Sequence, residues 1–131
     1  MSIVIAGEVD FPPENRDAAL AGARALIDMA LAEPGCRHYA WSADPHDPGR
    51  VHVFEEWDSA DELQAHLEGE AYRGMLGHLS QFTILNADTR KYRFDLKEPA
   101  YGPDDDRGLA REIGHAAASL RKRAVATPSG P

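Results

Sequence analysis

The segment from residue 33 to residue 66 restricts the fold more than any other part of this chain. Side chains alternate between two faces over residues 36–42 and again over 50–57, as they do in β-strands. The loop 44–49 between them is rich in Asp, Pro and Gly, which favour turns. Glu33-Pro34-Gly35, just before the first strand, is typical of a helix end. The segment therefore predicts a hairpin that is entered from a helix.

A second helix is expected directly after the hairpin. Ser59 is followed by Glu62 at the spacing of a capping box, in which each side chain accepts a hydrogen bond from the other residue's backbone N–H. Gly69 then suggests a break, and apolar residues continue at helical spacing over 72–79. We expect two short helical pieces in this part of the chain.

The remaining segments complete the pattern. Residues 3–9 are β-branched and read as a first strand, while Pro12 and Pro13 mark the entry to a helix. The last strand is predicted over residues 82–94. The apolar stripe of the first helix consists of Leu20, Ala23, Ile27 and Leu31.

The order strand, helix, strand, strand, helix, strand predicts an α+β domain of the ferredoxin-like βαββαβ type, with an antiparallel sheet and both helices on one face. Apolar residues occur on both faces of the middle strands, so we expect the sheet of a second copy to cover the free face in a homodimer. We place this domain at residues 1–98. Residues 99–131 are expected to form a C-terminal extension with a linker, a weak helix capped by Asp104–Asp106, and a flexible end from Ala126. The apolar positions of that helix are Leu109, Ile113, Ala116 and Leu120.

Composition excludes several classes of protein. A net charge of −8 would repel nucleic acid and anionic membrane surfaces, so neither is an expected partner. The single cysteine, Cys36, cannot form an intramolecular disulfide, which agrees with a reducing compartment. The first residues lack the basic and long apolar regions of a secretory signal. We therefore expect a cytoplasmic protein.

Several residues in the middle of the chain have the order and spacing of a known family. They are Glu33-Pro34-Gly35-Cys36 with Tyr39, then Glu55-x-Trp57, then Ser59 and His66. Over residues 3–94 the chain resembles the antibiotic biosynthesis monooxygenase domain family, which includes quinol monooxygenases and polyketide-tailoring oxygenases. The resemblance implies a dimeric α+β barrel with a pocket between sheet and helices in each subunit. It also implies oxidation of a small phenolic, quinol or polyketide-like aromatic substrate by O2, without flavin, metal or haem.

Such chemistry needs a base and a group that stabilises an anion. His66 is the first candidate for the base, because imidazole titrates near neutral pH and this one is expected on the inner face of a helix. The alternative is a buried histidine that only holds the helix in place. Tyr39 is expected to position a substrate oxygen or to pack in the core. Glu55 shares a strand face with apolar residues, and we expect it to pair with His66.

The remaining pocket candidates are aromatic or apolar. Trp57 is expected to form a pocket wall or to pack in the core, and Tyr72 and Met75 are expected to close one end. The hairpin aromatics Trp41 and Phe54 complete the predicted substrate-binding set.

Other site types are less well supported. The polyketide-tailoring relatives use an arginine or asparagine near the tryptophan, and Arg73, Arg90 and Arg93 are all candidates for it. His78 fits the haem ligand of the haem-degrading relatives poorly. We predict no metal site, because no two histidines have the i, i+4 spacing of a helical zinc site, and we regard any approach of His38 to His52 as coincidental.

Two other functions remain open for such a domain, because one fold serves many activities. One is a non-catalytic barrel that binds a small hydrophobic molecule or acts in a stress response. The other is a cyclase or isomerase that acts on a similar substrate without O2.

Overall fold

The computed structural model describes residues 1–101 and 107–126, which form four strands and four helices. The elements in chain order are β1 (Ser2–Asp10), α1 (Pro13–Leu31), β2 (Cys36–Ala43), β3 (Arg50–Trp57), α2 (Ala60–Leu67), α3 (Glu70–Leu79), β4 (Asn86–Phe94) and α4 (Arg107–Ala126). Contacts divide the chain into two units, Met1–Asp95 and Leu96–Pro131. None of the described helices is long and apolar enough to cross a bilayer.

The first unit has the predicted ferredoxin-like α+β fold. Its antiparallel sheet has the strand order β2-β3-β1-β4. The two central strands are therefore β3, the second strand of the hairpin, and β1, at the start of the chain. On one sheet face Ile3 lies opposite Trp57 and Ile5 lies opposite Glu55. Ile3 and Trp57 are fully buried in one core cluster with residues of α1, α2 and α3. This inner face is therefore the one that the helices cover.

A β-bulge in β2 changes which side chains point inward. Strict alternation predicted Cys36 on the face opposite Tyr39 and Trp41. The register shifts between Cys36 and His38, and Cys36, Tyr39 and Trp41 all pack toward the core. That prediction is wrong because the extra residue of a bulge reverses the alternation beyond it.

The first residues of α1 and α2 follow local rules. Pro12 stands at the N-cap position of α1 without a side-chain cap, and Pro13 is the first helical residue. The hydroxyl of Ser59 caps α2 by accepting a hydrogen bond from the backbone N–H of Glu62, with 3.3 Å between Oγ and N. The last strand begins at Asn86 rather than at Phe82, whose ring instead packs edge-on against Phe11. The expected cap Asp104–Asp106 and residues 127–131 lie outside the described residues, and α4 extends to Ala126.

Candidate functional site

A cavity of about 340 Å³ lies between the inner face of the sheet and helices α2 and α3. This volume is at the lower end of the range for small-molecule sites. Every strand of the sheet contributes to its wall. The lining residues are the apolar Ile5, Val53, Leu67, Met75, Leu76, Leu79 and Ala87 and the polar or aromatic Tyr39, Trp41, Glu55, His66, Tyr72 and Thr89.

His66 projects from the buried face of α2 and is only 1% exposed. Its Nδ1 atom lies 2.9 Å from Oε1 of Glu33. Because a carboxylate can only accept, Nδ1 carries the proton, and Nε2 keeps a free lone pair when the ring is neutral. The ring lies 4.6 Å from the Trp57 ring between centroids and contacts the rings of Tyr39 and Tyr72. The imidazole is thus fixed in orientation on several sides.

The turn after α1 brings Glu33 to this position. Gly35 adopts φ = 77°, a left-handed conformation that favours glycine, and reverses the chain into β2. The backbone N–H of Asp58 donates to the Gly35 carbonyl at 2.8 Å, which ties the turn to the end of β3. A Cβ at Gly35 would collide with the Glu62 carboxylate, so α2 packs closely on the same turn. The turn therefore determines the distance between Glu33 and His66.

Glu55 does not pair with His66 as predicted. Its Oε1 atom accepts a hydrogen bond from Nε1 of Trp57 at 3.0 Å, and the partner of His66 is Glu33. Burial raises the pKa of Glu55, although the Trp57 bond and the nearby His66 act in the opposite direction. The prediction overlooked the indole N–H of Trp57. Trp57 lies two residues after Glu55 on the same strand face, so its indole can donate directly to the Glu55 carboxylate.

Tyr39 and Trp41 lie next to each other on the inner face of β2. Burial, with a smaller contribution from Glu55, raises the pKa of the Tyr39 phenol well above its usual value. The hydroxyl is therefore protonated at neutral pH and is available as a donor. Nε1 of Trp41 is buried and has no acceptor at full hydrogen-bond geometry, but the indole interacts with the phenol and opposes part of the rise in the Tyr39 pKa.

The structure brings six of the eight predicted site residues to the cavity wall: Tyr39, Trp41, Glu55, His66, Tyr72 and Met75. Trp57 and Phe54 do not line it. Trp57 is fully buried behind His66 and Glu55, and Phe54 is 41% exposed on the other sheet face, where its ring lies near that of His38. Phe54 was wrongly predicted to line the pocket. Side chains alternate along β3, so Phe54 points to the face away from Val53 and Glu55, which line the cavity.

The three candidate arginines do not line the cavity of residues 1–95 either. Arg73, Arg90 and Arg93 are all exposed, and Arg90 pairs with Asp88. His78 holds α3 against α1, because its Nε2 lies 2.8 Å from the carbonyl oxygen of Ala19. Among the described residues no three His, Cys, Asp or Glu side chains converge in a way that could hold a metal ion.

Sequence reasoning missed two polar contributions to this site. Glu33 was assigned only to a helix end, although its carboxylate is the partner of His66. Thr89 joins the wall because β4 pairs with β1 and places it opposite Gly7. Neither carries a local signal, since both depend on how distant segments pack.

The family model for antibiotic biosynthesis monooxygenases matches residues 2–76, more than half of the chain. The chain belongs to this family. The match covers β1 to most of α3 and therefore includes Glu33, Tyr39, Trp41, Glu55, His66 and Tyr72.

Solved structures of similar chains agree with this family fold. A protein from Methanosarcina mazei superposes with a TM-score of 0.65 at 21% identity, over 72% of this chain and 94% of its own. A structure described as an antibiotic biosynthesis monooxygenase superposes with a TM-score of 0.60 at 27% identity, over 74% of this chain and 99% of its own. A Deinococcus radiodurans protein, named provisionally as such a monooxygenase, gives 0.68 at 19% identity, over 78% and 100% of the two chains.

A curated relative from Synechocystis, an uncharacterized protein, is 27% identical over 66 residues, which are 50% of this chain. The match spans 45% of that relative, less than half of its length.

Proposed function

We propose that this protein is a cofactor-independent monooxygenase that oxidises a small phenolic, quinol or polyketide-like aromatic substrate with O2. The observation that carries the proposal is the arrangement around His66. A buried imidazole, oriented by the Glu33 carboxylate, faces an apolar cavity that also holds the Tyr39 hydroxyl. Family membership supports the same class of reaction.

His66 acts as the general base. Its Nε2 takes a proton from the substrate, and the Glu33 carboxylate, 2.9 Å from Nδ1, stabilises the imidazolium that forms. The imidazole is then oriented in the same way as in other carboxylate–histidine pairs. Contact with the tilted ring of Trp57 keeps the imidazole in place while its charge changes.

The substrate anion supplies the electrons for oxygen reduction. One electron passes to O2, and the resulting superoxide and substrate radical combine to form a carbon–oxygen bond. The peroxide then loses water as its O–O bond breaks. One oxygen atom remains in the product as a new carbonyl or hydroxyl group, and the other leaves with two substrate hydrogens, so that no external reductant is consumed.

The cavity wall suits this chemistry. Most of its residues are aliphatic or aromatic, including Val53, Leu67 and Met75. An apolar wall binds an aromatic ring and admits O2, and it excludes the water that would compete for the anion.

Oxygen consumption tests the proposal. We expect the purified protein to consume O2 with one or more members of a panel of hydroquinones and anthrones, and His66→Ala to reduce kcat by about 10²- to 10⁴-fold. His46→Ala, which removes an exposed histidine in the hairpin loop, should retain the wild-type rate. Substrate binding without oxygen uptake would support a non-catalytic binding protein. Equal rates for wild type and His66→Ala would exclude His66 as the base.

An isomerase is the second candidate, and Glu55 is the observation that favours it. Its carboxyl group lines the same cavity as His66 and burial raises its pKa, so the site holds two groups that can exchange protons with a substrate. Isomerisation needs this pair but no oxygen. Product formation under anaerobic conditions would identify an isomerase, whereas a strict requirement for O2 would exclude it.

We also propose that the protein is a homodimer through the sheet face that the helices of the first unit leave free. Phe54 and Tyr92 are 41% and 55% exposed on this face. Phe54→Asp should shift the sedimentation velocity of the protein from dimer to monomer. Met29→Asp changes a residue of equal exposure, 41%, on α1 and should leave the dimer intact. A monomeric wild type would contradict the proposal.

A further inference from the structure

The cavity opens to solvent along the edge strand β4. Its lining residues on the central strand β3, Val53 and Glu55, are only 4% and 8% exposed. The lining residues of β4, Ala87 and Thr89, are both exposed, and Leu76 on the α3 side of the wall is 51% exposed. These three exposed residues form the mouth of the cavity. A ligand can therefore extend from the buried wall on β3 to solvent at the mouth.

One row of side chains crosses the inner face of the sheet toward this mouth. Glu55 of β3 has Tyr39 of β2 on one side and Ile5 of β1 on the other, and all three line the cavity. Ile5 in turn lies opposite Lys91 of β4. Directly opposite residues of antiparallel strands project from the same sheet face. Lys91 also follows the lining residue Thr89 by two positions, which gives it the same orientation. The row therefore places an ammonium group beside the mouth.

The protein does not use the polar groups of Lys91 and Thr89 for its own contacts. Within the part of the chain that the structure describes, neither the ammonium nor the hydroxyl makes a hydrogen bond or an ion pair. Arg90, which points to the other sheet face, already has an acidic partner. Arg93 shares the inner face, but it lies opposite the fully buried Ile3, outside the cavity wall. Among the basic residues of β4, Lys91 alone lies opposite a residue of that wall.

The position of this cation defines the ligand group. A net charge of −8 gives the chain no general attraction for anions, so an anion at the mouth depends on the local ammonium. An ammonium and a hydroxyl side by side bind a carboxylate through charge-assisted hydrogen bonds. Two strand spacings separate β3 from β4, which is about 10 Å and comparable with the length of a substituted two-ring aromatic molecule. Such a molecule can reach the mouth at one end while its other end lies beside His66.

We propose that Lys91, together with the Thr89 hydroxyl, binds a carboxylate at the outer end of an aromatic substrate. This inference rests on the proposed function and narrows its substrates to aromatic acids whose carboxylate and reacting hydroxyl are at opposite ends of the molecule. The carboxylate stays at the mouth, where water hydrates its remaining lone pairs, and the rings lie along the apolar wall. The hydroxyl is then directed toward Nε2 of His66. Lys91 is thus a specificity-determining residue that orients the substrate.

Two ligands of nearly equal shape test the contact. At neutral pH 6-hydroxy-2-naphthoic acid carries a carboxylate opposite its phenol, and 6-hydroxy-2-naphthamide is its uncharged analogue. In isothermal titration calorimetry the wild type should bind the acid about three- to tenfold more tightly than the amide. Lys91→Met keeps the aliphatic stem and should lose this preference, whereas Lys91→Arg should keep it. Thr89→Val should reduce it about twofold.

A matched control separates the local contact from the net charge. Arg24→Met removes one positive charge from an exposed residue of α1, a helix that contributes nothing to the cavity wall, and should keep the wild-type preference. High salt should weaken the preference of the wild type and leave Lys91→Met unchanged, because exposed charges are screened.

Three results would overturn the proposal: a preference that survives in Lys91→Met, equal binding of the two ligands by the wild type, or binding of neither. An unchanged preference in Thr89→Val would overturn the role of Thr89. Oxygen uptake is measured separately. A Lys91-dependent preference without oxygenase activity would refute the proposed reaction and leave the contact in place, and oxygen uptake without the preference would refute the contact alone.

Discussion

Nδ1 of His66 lies 2.9 Å from Oε1 of Glu33, although 33 residues separate the two along the chain. The contact joins the turn after α1 to the last turn of α2, and both groups are shielded from water to a large extent. Carboxylates that hold a histidine in this way usually determine which ring nitrogen carries the proton.

Glu33→Gln should therefore reduce catalysis without removing the base. The amide cannot compensate the charge of the imidazolium, so we expect kcat to fall roughly ten- to hundredfold, less than for His66→Ala, with KM nearly unchanged. Glu68→Gln changes an exposed glutamate at the end of α2 and serves as the control. Steady-state oxygen uptake measures both constants. A change in KM alone would mean that Glu33 contributes to binding and not to the proton transfer.

Glu55 should make stability decrease as the pH rises. Burial raises its pKa above the ordinary value of 4.5, so the folded protein holds this proton more tightly than the unfolded chain does. The stabilising effect of the proton is complete below pH 4.5 and is lost as the pH rises through the folded pKa. Glu55→Gln cannot ionise, and its oxygen can still accept from Trp57. The free energy of unfolding of Glu55→Gln, relative to wild type, should increase with pH above about 4.5 in urea titrations. Parallel pH profiles for the two proteins would contradict this prediction.

Cys36 should be a poor nucleophile. Burial, together with the carboxylates of Glu55 and Glu33, raises the pKa of its thiol to about 11. At pH 8 the thiolate fraction is then roughly one in a thousand, against about a quarter for an ordinary cysteine. Iodoacetamide should react about two orders of magnitude more slowly with the folded protein than with the same protein in urea. Mass spectrometry measures both rates on this single cysteine, and equal rates would disprove the expected protection.

Two helical glycines should respond oppositely to alanine. A Cβ at Gly22 of α1 would lie 2.3 Å from Cε1 of His78, so Gly22→Ala must displace the ring that bonds the Ala19 carbonyl. We expect a loss of about 1–3 kcal/mol of unfolding free energy. A Cβ at Gly77 of α3 meets no atom within 4 Å, and Gly77→Ala should stabilise by about 0.5–1 kcal/mol. Thermal and urea unfolding compare the pair. Equal effects would show that the close approach of α1 and α3 does not depend on Gly22.

The sequence by itself determined the architecture, because its signals are local. Proline entry to α1, the glycine turn at Gly35, the Ser59 cap and the alternation of β3 each depend on residues close in the chain. Together they specify the βαββαβ order, and topology rules then leave few arrangements of the sheet. The inward positions of β3, including Glu55, followed from its period of two.

Tertiary structure decided the chemistry of the site. A single bulge in β2 set which of Cys36, His38 and Tyr39 face inward, and strand periodicity does not reveal such a bulge. The partner of His66 proved to be Glu33 rather than Glu55, since the pairing depends on the packing of a turn against a helix. Hydrogen-bond partners are selected by positions in three dimensions, and residue type and spacing along the chain restrict those positions only in part.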